Sequence, residues 1–335
     1  GSGRGVCPAM GPLLLHCAGF LVLALAAWDV FVTSLTLRGG GPVSSWAARR
    51  IWAALLAVHR RRTNHRLLSF GGGLVVVGVL SVWVVMLAGG WGLVFAGAPQ
   101  AVVDATTGAP ADLAARLYFA GFNLFTLGLG DYKPSGVWGQ ALTVAASGSG
   151  LLGITLAVTY LAPVLSGAVS RQALAGEISL LGCSPRQIVE GARRQGLEAF
   201  SGRLDGFAGS ILKSAEQHLA YPILHDFHAR HRRVALALRL AALYDALRSL
   251  RAGAEDPPPP AAALATAIDL CIMRVRHDVM PAAAAGPPPA PDMSGLAVPQ
   301  AQAETALQQA AETRGFLLQL VDHDGWTWSD LTAGP

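Results

Sequence analysis

The short stretch 126–131, with the sequence TLGLGD, carries the residue types best suited to chemistry in this chain. Gly128 and Gly130 have no Cβ atom, so their backbone can take left-handed angles without steric cost. If alternate residues take such angles, consecutive backbone carbonyls can point to one side and replace the water around a cation. Thr126 adds a hydroxyl oxygen at one end of this row, and Asp131 adds a carboxylate at the other. On these six residues alone, a glycine-containing turn between two helices is the alternative.

The setting of this stretch favours the first interpretation. Long apolar segments flank it on both sides, and a short helix is predicted over 113–125, with Asp112 as its N-cap. A segment of this length is too short to span a bilayer and is typical of a re-entrant piece. In this setting the pattern Thr-x-Gly-x-Gly-Asp resembles the selectivity filter of the potassium-channel superfamily, and the resemblance covers about residues 70–170.

The resemblance implies a bacterial pore domain of the two-transmembrane type, with an extra N-terminal helix, that conducts K⁺ as a homotetramer. The residues that it assigns to the ion path are Thr126, Leu127, Gly128 and Leu129 through their carbonyls, Gly130 as the turn and Asp131 as the outer charge. Leu129 stands where the family usually has an aromatic residue, and no acidic residue in 113–125 can partner Asp131. These departures leave a non-selective cation channel open as an alternative.

The composition predicts a membrane protein. Of the 335 residues, 52% are hydrophobic and only 14% are charged, whereas ordinary soluble domains carry about 25% charged residues. The net charge of +4 is therefore interpreted as arginine held on the cytoplasmic side of a membrane rather than as a nucleic-acid surface. The four cysteines (Cys7, Cys17, Cys183 and Cys271) are far apart and support neither a disulfide framework nor a zinc site.

The predicted fold class is an all-α membrane protein with three transmembrane helices, a re-entrant pore helix and filter, and an α-helical cytoplasmic region. The arginine bias places the N-terminus and the filter mouth outside and the C-terminal half in the cytoplasm of a bacterial inner-membrane protein. The predicted division is an N-terminal transmembrane helix (1–37), a basic interfacial helix (38–69), a pore domain (70–170), a helical domain (171–256) and a linker with C-terminal helices (257–335). Residues 1–11 are taken as a loose terminus.

The basic segment between the first two spans combines arginines with tryptophans. Trp46 and Trp52 are predicted to share one face of a helix that lies on an anionic leaflet. The arginines expected to contact the lipid headgroups are Arg49, Arg50, Arg60, Arg61 and Arg62. The alternative is a solvated loop that only sets orientation.

One carboxylate, Asp29, falls inside the first apolar segment. A carboxylate within a membrane segment is costly and is therefore a functional candidate by default. The alternative is that Asp29 lies near the headgroups and pairs with an arginine of the next segment.

The inner helix predicted over 134–170 is longer than a bilayer requires. Gly150, about two dozen residues after Thr126, is a candidate gating hinge, and Pro163 is expected to kink the lower half of the helix. The alternative for the small residues around Gly150 is close packing of helices.

The C-terminal half is predicted to contain helices over 186–200, 203–219, 228–251, 261–279 and 300–320. An Ala/Pro/Gly linker over 281–299 is expected to be disordered, and the tail with Trp326 and Trp328 is expected to be exposed. No nucleotide-binding pattern follows a strand signal, and no cofactor is predicted.

Several histidines cluster in this half of the chain. Weak candidates for a metal or pH-sensing role are His218, His225 and His228, close to Asp226 and His231. Because Pro222 interrupts the segment, solvent-exposed histidines on a polar helix are the alternative. An enzymatic role depends on these histidines alone, so the chain is predicted not to be an enzyme. A non-conducting membrane anchor with a helical sensor or adaptor domain remains the alternative function.

Overall fold

The computed structural model describes residues 10–36, 39–253, 259–279, 286–296 and 298–332. The predicted all-α fold is confirmed, since nearly all regular structure in these ranges is helical. The chain divides into two compact units. The first unit comprises residues 1–36, 40–48 and 76–162, and the second comprises 37–39, 49–75 and 163–335. The domain boundaries proposed from the sequence stay a prediction.

The described residues of the N-terminal half form six helices and one strand pair. These are α1 (Met10–Leu35), α2 (Pro42–Arg61), α3 (His65–Ser69), α4 (Gly71–Ala96), β1 (Val102–Asp104), α5 (Leu113–Leu124), β2 (Tyr132–Pro134) and α6 (Gly136–Ser179). By length and composition, α1, α4 and α6 are the three described helices able to cross a membrane. Helix α6 continues nine residues beyond its predicted end at 170. Pro163 lies inside this helix, although proline has no N–H to donate to the preceding turn.

The strand pair was not expected from the sequence. Strands β1 and β2 are antiparallel, with Val103 opposite Lys133, and the amide of Ala105 donates to the carbonyl of Asp131 at 2.9 Å. The strands are three residues each, too short for an alternating pattern to stand out in a sequence. They join the chain before α5 to the chain after residue 131, and therefore fix the C-terminal end of the TLGLGD segment.

Asp29 holds together three helices of the first unit. Its carboxylate accepts hydrogen bonds from the amides of Val43 (2.7 Å) and Ser44 (3.1 Å) in the first turn of α2, and from Nε1 of Trp83 in α4 (3.1 Å). The side chain is completely buried. Asp29 thus acts as a remote N-cap for α2, where amides lack intrahelical partners. The expected pairing with an arginine of the next segment is wrong.

Where the structure describes the second unit, seven further helices are present. They are α7 (Pro185–Gln195), α8 (Leu197–Leu204), α9 (Phe207–Ala220), α10 (Leu236–Ala252), α11 (Pro259–Val279), α12 (Gln300–Gln309) and α13 (Ala311–His323). The predicted helices 186–200, 203–219 and 300–320 are each interrupted, and the predicted helix 228–251 begins only at Leu236. Helix α10 is buried along almost its whole length and forms the centre of the hydrophobic core.

The segment 286–296 is packed rather than disordered, which corrects the expectation for the linker. Met293 is fully buried, and the carbonyls of Pro288 and Pro289 each accept a hydrogen bond from Arg314 at 2.8 Å. Arg314 also forms a buried two-point ion pair with Asp245, at 2.9 and 3.0 Å. The remaining linker residues 281–285 and 297 lie outside the described residues.

Two tryptophans are also buried where exposure was expected. Trp326 is 4% exposed, so the tail is not a solvated segment. Trp52 is 3% exposed, and its Nε1 donates to the carbonyl of His323 at 3.3 Å. Trp52 therefore cannot lie on a lipid-facing surface, whereas Trp46 is exposed. The five arginines predicted to contact lipid are exposed, and their contact with headgroups stays a prediction.

Candidate functional site

The TLGLGD segment follows directly on the C-terminal end of α5. Asp112 caps the start of this helix as predicted, accepting from the amide of Ala115 at 2.8 Å. At the other end, the amide of Thr126 donates to the carbonyl of Asn123 (3.0 Å), and the amide of Leu127 donates to the carbonyl of Phe122 (2.8 Å). The end of α5 that carries partial negative charge therefore lies beside residues 126–131.

Every second residue of this segment has a left-handed backbone conformation, with a positive φ angle. Thr126, Gly128 and Gly130 have φ angles of 56°, 60° and 85°, and Thr126 is the only non-glycine residue with a positive φ in the part of the chain described. A β-branched residue in this region is strained and rare. No atom lies within 4 Å of a Cβ placed on Gly128 or Gly130. The glycines are therefore required by backbone angle and not by crowding.

Asp131 has a partner that the sequence reasoning missed. The hydroxyl of Tyr118, on α5, donates to Oδ2 of Asp131 at 3.3 Å. The sequence analysis considered only an acidic residue in 113–125 as a partner of Asp131, whereas the donor is a tyrosine hydroxyl. The ring of Tyr118 also packs edge-on against Phe122 and Tyr132. Tyr118 thus links the helix before the segment to the residues that follow it.

Gly150 brings α6 against the end of α5. A Cβ at this position would overlap the carbonyl oxygen of Leu124, the last residue of α5. The neighbouring Ser149 accepts a hydrogen bond from Nε1 of Trp91 in α4, at 2.8 Å. The structure thus gives Gly150 a packing role, and its role as a hinge, like that of Pro163, stays a prediction.

His218, His225 and His228 are buried and fall into two groups, so the expectation that they are exposed is wrong, whereas His231 is exposed. His218 and His225 lie with their ring centres 4.4 Å apart. His228 belongs to the other group, where it stacks on His65 and Trp326 and its Nδ1 lies 2.6 Å from the carbonyl oxygen of Asp324. Burial lowers the pKa of His218 to about 3 and that of His228 to about 4, so both are neutral at pH 7. Within the described ranges, no group of three or more potential ligands has metal-binding geometry.

Comparisons with known proteins find a family match for the region around the TLGLGD segment. Residues 74–166 match the model of the family described as "Ion channel" (Ion_trans_2), which confirms the resemblance to a potassium-channel-type pore domain. The "Uncharacterized membrane protein YdjJ" of Bacillus subtilis (strain 168) is 28% identical over 327 residues, covering 93% of this chain and 94% of that protein. No solved structure matches the chain.

Proposed function

Residues 74–166 are a pore domain of the two-transmembrane ion-channel type, and from this premise we propose that the protein conducts K⁺ passively through a filter formed by residues 126–131. The observation that carries the proposal is the alternation of left-handed residues at Thr126, Gly128 and Gly130. This alternation lets successive carbonyl oxygens share one side of the chain, as a dehydrated cation requires. The C-terminal end of α5 adds the negative pole of its dipole.

The proposal includes a homotetramer, which the same geometry supports. A single chain supplies one row of carbonyls, which cannot surround an ion, so the site is incomplete without further copies. Leu127 and Leu129 are 62% and 51% exposed in the isolated chain. Apolar side chains left exposed next to a polar backbone mark a surface that a partner covers. Four copies of this segment around one axis would both close the ring and bury these leucines.

The remaining assignments belong to the same proposal. The protein lies in a bacterial inner membrane with its N-terminus outside and its C-terminal half in the cytoplasm, where the exposed Arg49, Arg50, Arg60, Arg61 and Arg62 contact anionic lipid headgroups. The match of residues 74–166 to the ion-channel family model points to a protein that is not an enzyme. In this proposal K⁺ is the permeant ion rather than a cofactor.

Flux into liposomes that hold the purified full chain tests the filter. We expect Gly130→Ala to abolish cation flux while the tetramer still assembles, because alanine resists the φ of 85°. Gly121→Ala is the matched control, since Gly121 lies inside α5 with no positive φ and no atom within 4 Å of an added Cβ. Unchanged flux in Gly130→Ala would contradict the filter assignment.

The same liposomes separate the possible functions. K⁺ flux well above Na⁺ flux supports a selective filter despite Leu129, whereas equal fluxes support a non-selective cation channel. Absence of any flux, with the tetramer intact and the reconstitution verified by an established channel, would favour a non-conducting membrane-anchored sensor or adaptor.

A further inference from the structure

A pocket of about 280 Å³ lies between α10, α11 and α13 of the second unit, away from residues 126–131 in sequence. Each helix contributes a single face, because the lining residues recur three, four or seven positions apart. The residues that define its chemistry are Tyr244, Arg248, Asp269, Arg276, Thr313 and Phe316. Its volume is just below the range of about 300–1,000 Å³ for drug-sized ligands, so the occupant is a small metabolite.

A carboxylate is held in place on one side of the pocket. Oδ1 of Asp269 accepts hydrogen bonds from the hydroxyls of Tyr244 (2.7 Å) and Thr313 (2.8 Å). Both bonds go to the same oxygen, and no described residue donates to Oδ2. Burial and the bond to Asp269 raise the pKa of Tyr244, which keeps its hydroxyl a donor at neutral pH. Asp269 therefore presents a fixed, open acceptor to an N–H group.

Two guanidinium groups supply positive charge to the same pocket. The guanidinium of Arg248 lies 5.8 Å from the ring centre of Tyr244, and that of Arg276 lies 5.5 Å from the ring centre of Phe316. Arg276 also pairs with Glu312 at 2.8 Å, but the Glu312 side chain is 73% exposed, and such a pair contributes little. An incoming carboxylate can replace Glu312 and gain the two-point contacts that arginine favours.

The formal charges of the side chains that line the pocket sum to zero. Arg248 and Arg276 carry two positive charges, and Asp269 and Glu312 carry two negative charges. A ligand with only an anionic group would leave the open oxygen of Asp269 without a donor, whereas a zwitterion satisfies both ends. The apolar part of the wall, which includes Ile272 and Phe316, requires a matching apolar group on the ligand.

We propose that this pocket binds a free amino acid with an apolar side chain. Its carboxylate contacts Arg248 and Arg276, its ammonium group donates to Oδ2 of Asp269, and its side chain packs on Phe316. The second unit is then a ligand-binding module attached to the pore domain.

Calorimetric titration of the full chain in detergent micelles tests the proposal with three probes of one size. L-phenylalanine carries both charged groups, 3-phenylpropionate lacks the ammonium group, and phenethylamine lacks the carboxylate. We expect L-phenylalanine to bind and each of the other two to bind at least about tenfold more weakly, because each loses one charge-assisted contact. Titration into protein-free micelles corrects for partitioning.

Two variants assign the contacts. Asp269→Asn keeps an acceptor for Tyr244 and Thr313 and should weaken L-phenylalanine and phenethylamine binding without affecting 3-phenylpropionate. Arg248→Gln should weaken L-phenylalanine and 3-phenylpropionate binding but not phenethylamine binding. Arg251→Gln, on the same helix outside the pocket, is the control and should bind L-phenylalanine as the wild type does.

Three results would overturn the proposal: no binding of L-phenylalanine, equal affinity for all three probes, or binding that neither pocket variant changes while both retain the wild-type melting temperature. Because binding is measured as heat without any ion gradient, its outcome is independent of whether the protein conducts.

Discussion

At the scale of single residues, the absence of a side chain decides how α6 meets α5. Gly150 brings the α6 backbone against the carbonyl oxygen of Leu124, and Gly139 does the same against the carbonyl oxygen of Ala101, just before β1. Each of these two contacts joins a residue that precedes 126–131 in sequence to a residue of α6 that follows it. At both glycines, α6 contacts backbone rather than side chains of the residues near the proposed filter. Backbone cannot move aside as a flexible side chain can, so these contacts restrain the chain around the filter.

We expect Gly150→Ala to lower the stability of the first unit by about 1–3 kcal/mol, the usual cost of overpacking, and to reduce flux because the end of α5 must shift. Gly148→Ala is the matched control two residues away, since no atom lies within 4 Å of a Cβ there. Thermal melting in detergent and liposome flux measure the two effects. A Gly150→Ala protein with unchanged melting but altered opening would instead support the hinge interpretation.

The sequence predicts those residue-scale features that depend on a few adjacent positions. Asp112 as a cap and the positive φ of Gly128 and Gly130 follow from local chemistry. The positive φ of Thr126 does not, because threonine disfavours it and only the surrounding structure imposes it. The bond from Tyr118 to Asp131 was missed because it depends on how the chain returns after α5.

At the scale of elements, Asp29 makes the start of α2 depend on α1 and α4. The carboxylate replaces an N-terminal cap that Gly41 cannot supply, and Thr33 extends the contact by accepting from the amide of Gly41 at 2.8 Å. A Cβ on Gly41 would overlap Asp29. The buried carboxylate in a predicted transmembrane segment is thus explained by helix capping. In place of a counter-ion it has four hydrogen-bond donors: the amides of Val43 and Ser44, the Ser44 hydroxyl and the Trp83 indole.

Asp29→Ala should destabilise the protein by about 3 kcal/mol or more, because it leaves the amides of Val43 and Ser44 without their acceptor. It also removes one of the two acceptors of the Trp83 indole, the other being Oγ of Ser44. Ser34→Ala on the same helix should be neutral, since the Ser34 hydroxyl is buried without a hydrogen-bond partner among the described residues. Thermal melting of both variants in one detergent provides the measurement. Equal melting temperatures would show that water or another acceptor replaces the cap.

Hydrophobic pattern alone predicts the long elements and fails for the short ones. Helices α1, α4 and α6 stand out because each holds a continuous apolar run. The break between α8 and α9 occurs at Gly206, whose φ is 86°, but a glycine inside a helical pattern does not by itself reveal a break. Strands β1 and β2 depend on pairing across 27 intervening residues, which no local pattern records.

At the scale of the whole molecule, the C-terminal core is built from contacts that are distant in sequence. Arg314 contacts Asp245, 69 residues away, and the Trp52 indole reaches His323, 271 residues away. Both contacts bury residues that composition places on a surface or in a linker. For this reason the packing of 286–296 and of Trp326 could not be predicted, although the helical character of the region was.

The same burial gives the second unit opposing responses to pH. His218 and His228 stay neutral when folded but take up a proton near pH 6.5 when unfolded, so they reduce stability as the pH falls below about 6.5. Asp324 behaves in the opposite way. Burial raises its pKa from 3.8 to about 7, with Arg171 and His323 opposing and Asp226 adding to the rise. The folded state thus retains a proton on Asp324 that the unfolded chain has lost.

Asp324→Asn isolates this second effect. Between about pH 4 and pH 7 the folded wild type binds a proton that the unfolded chain does not, so Asp324 contributes less and less to stability as the pH rises through this window, with no further loss above about pH 7. Asparagine cannot ionise, and the histidines are common to both proteins. The stability of Asp324→Asn relative to wild type should therefore increase from pH 4.5 to pH 7.5, on the order of 3 kcal/mol, and then level off. Thermal melts across this range measure the difference, with Asp205→Asn at an exposed position as the control. If the stability difference between Asp324→Asn and wild type also does not change with pH, Asp324 is ionised in the folded protein at pH 5. The buried carboxylate would then be the counter-ion of Arg171 in α6.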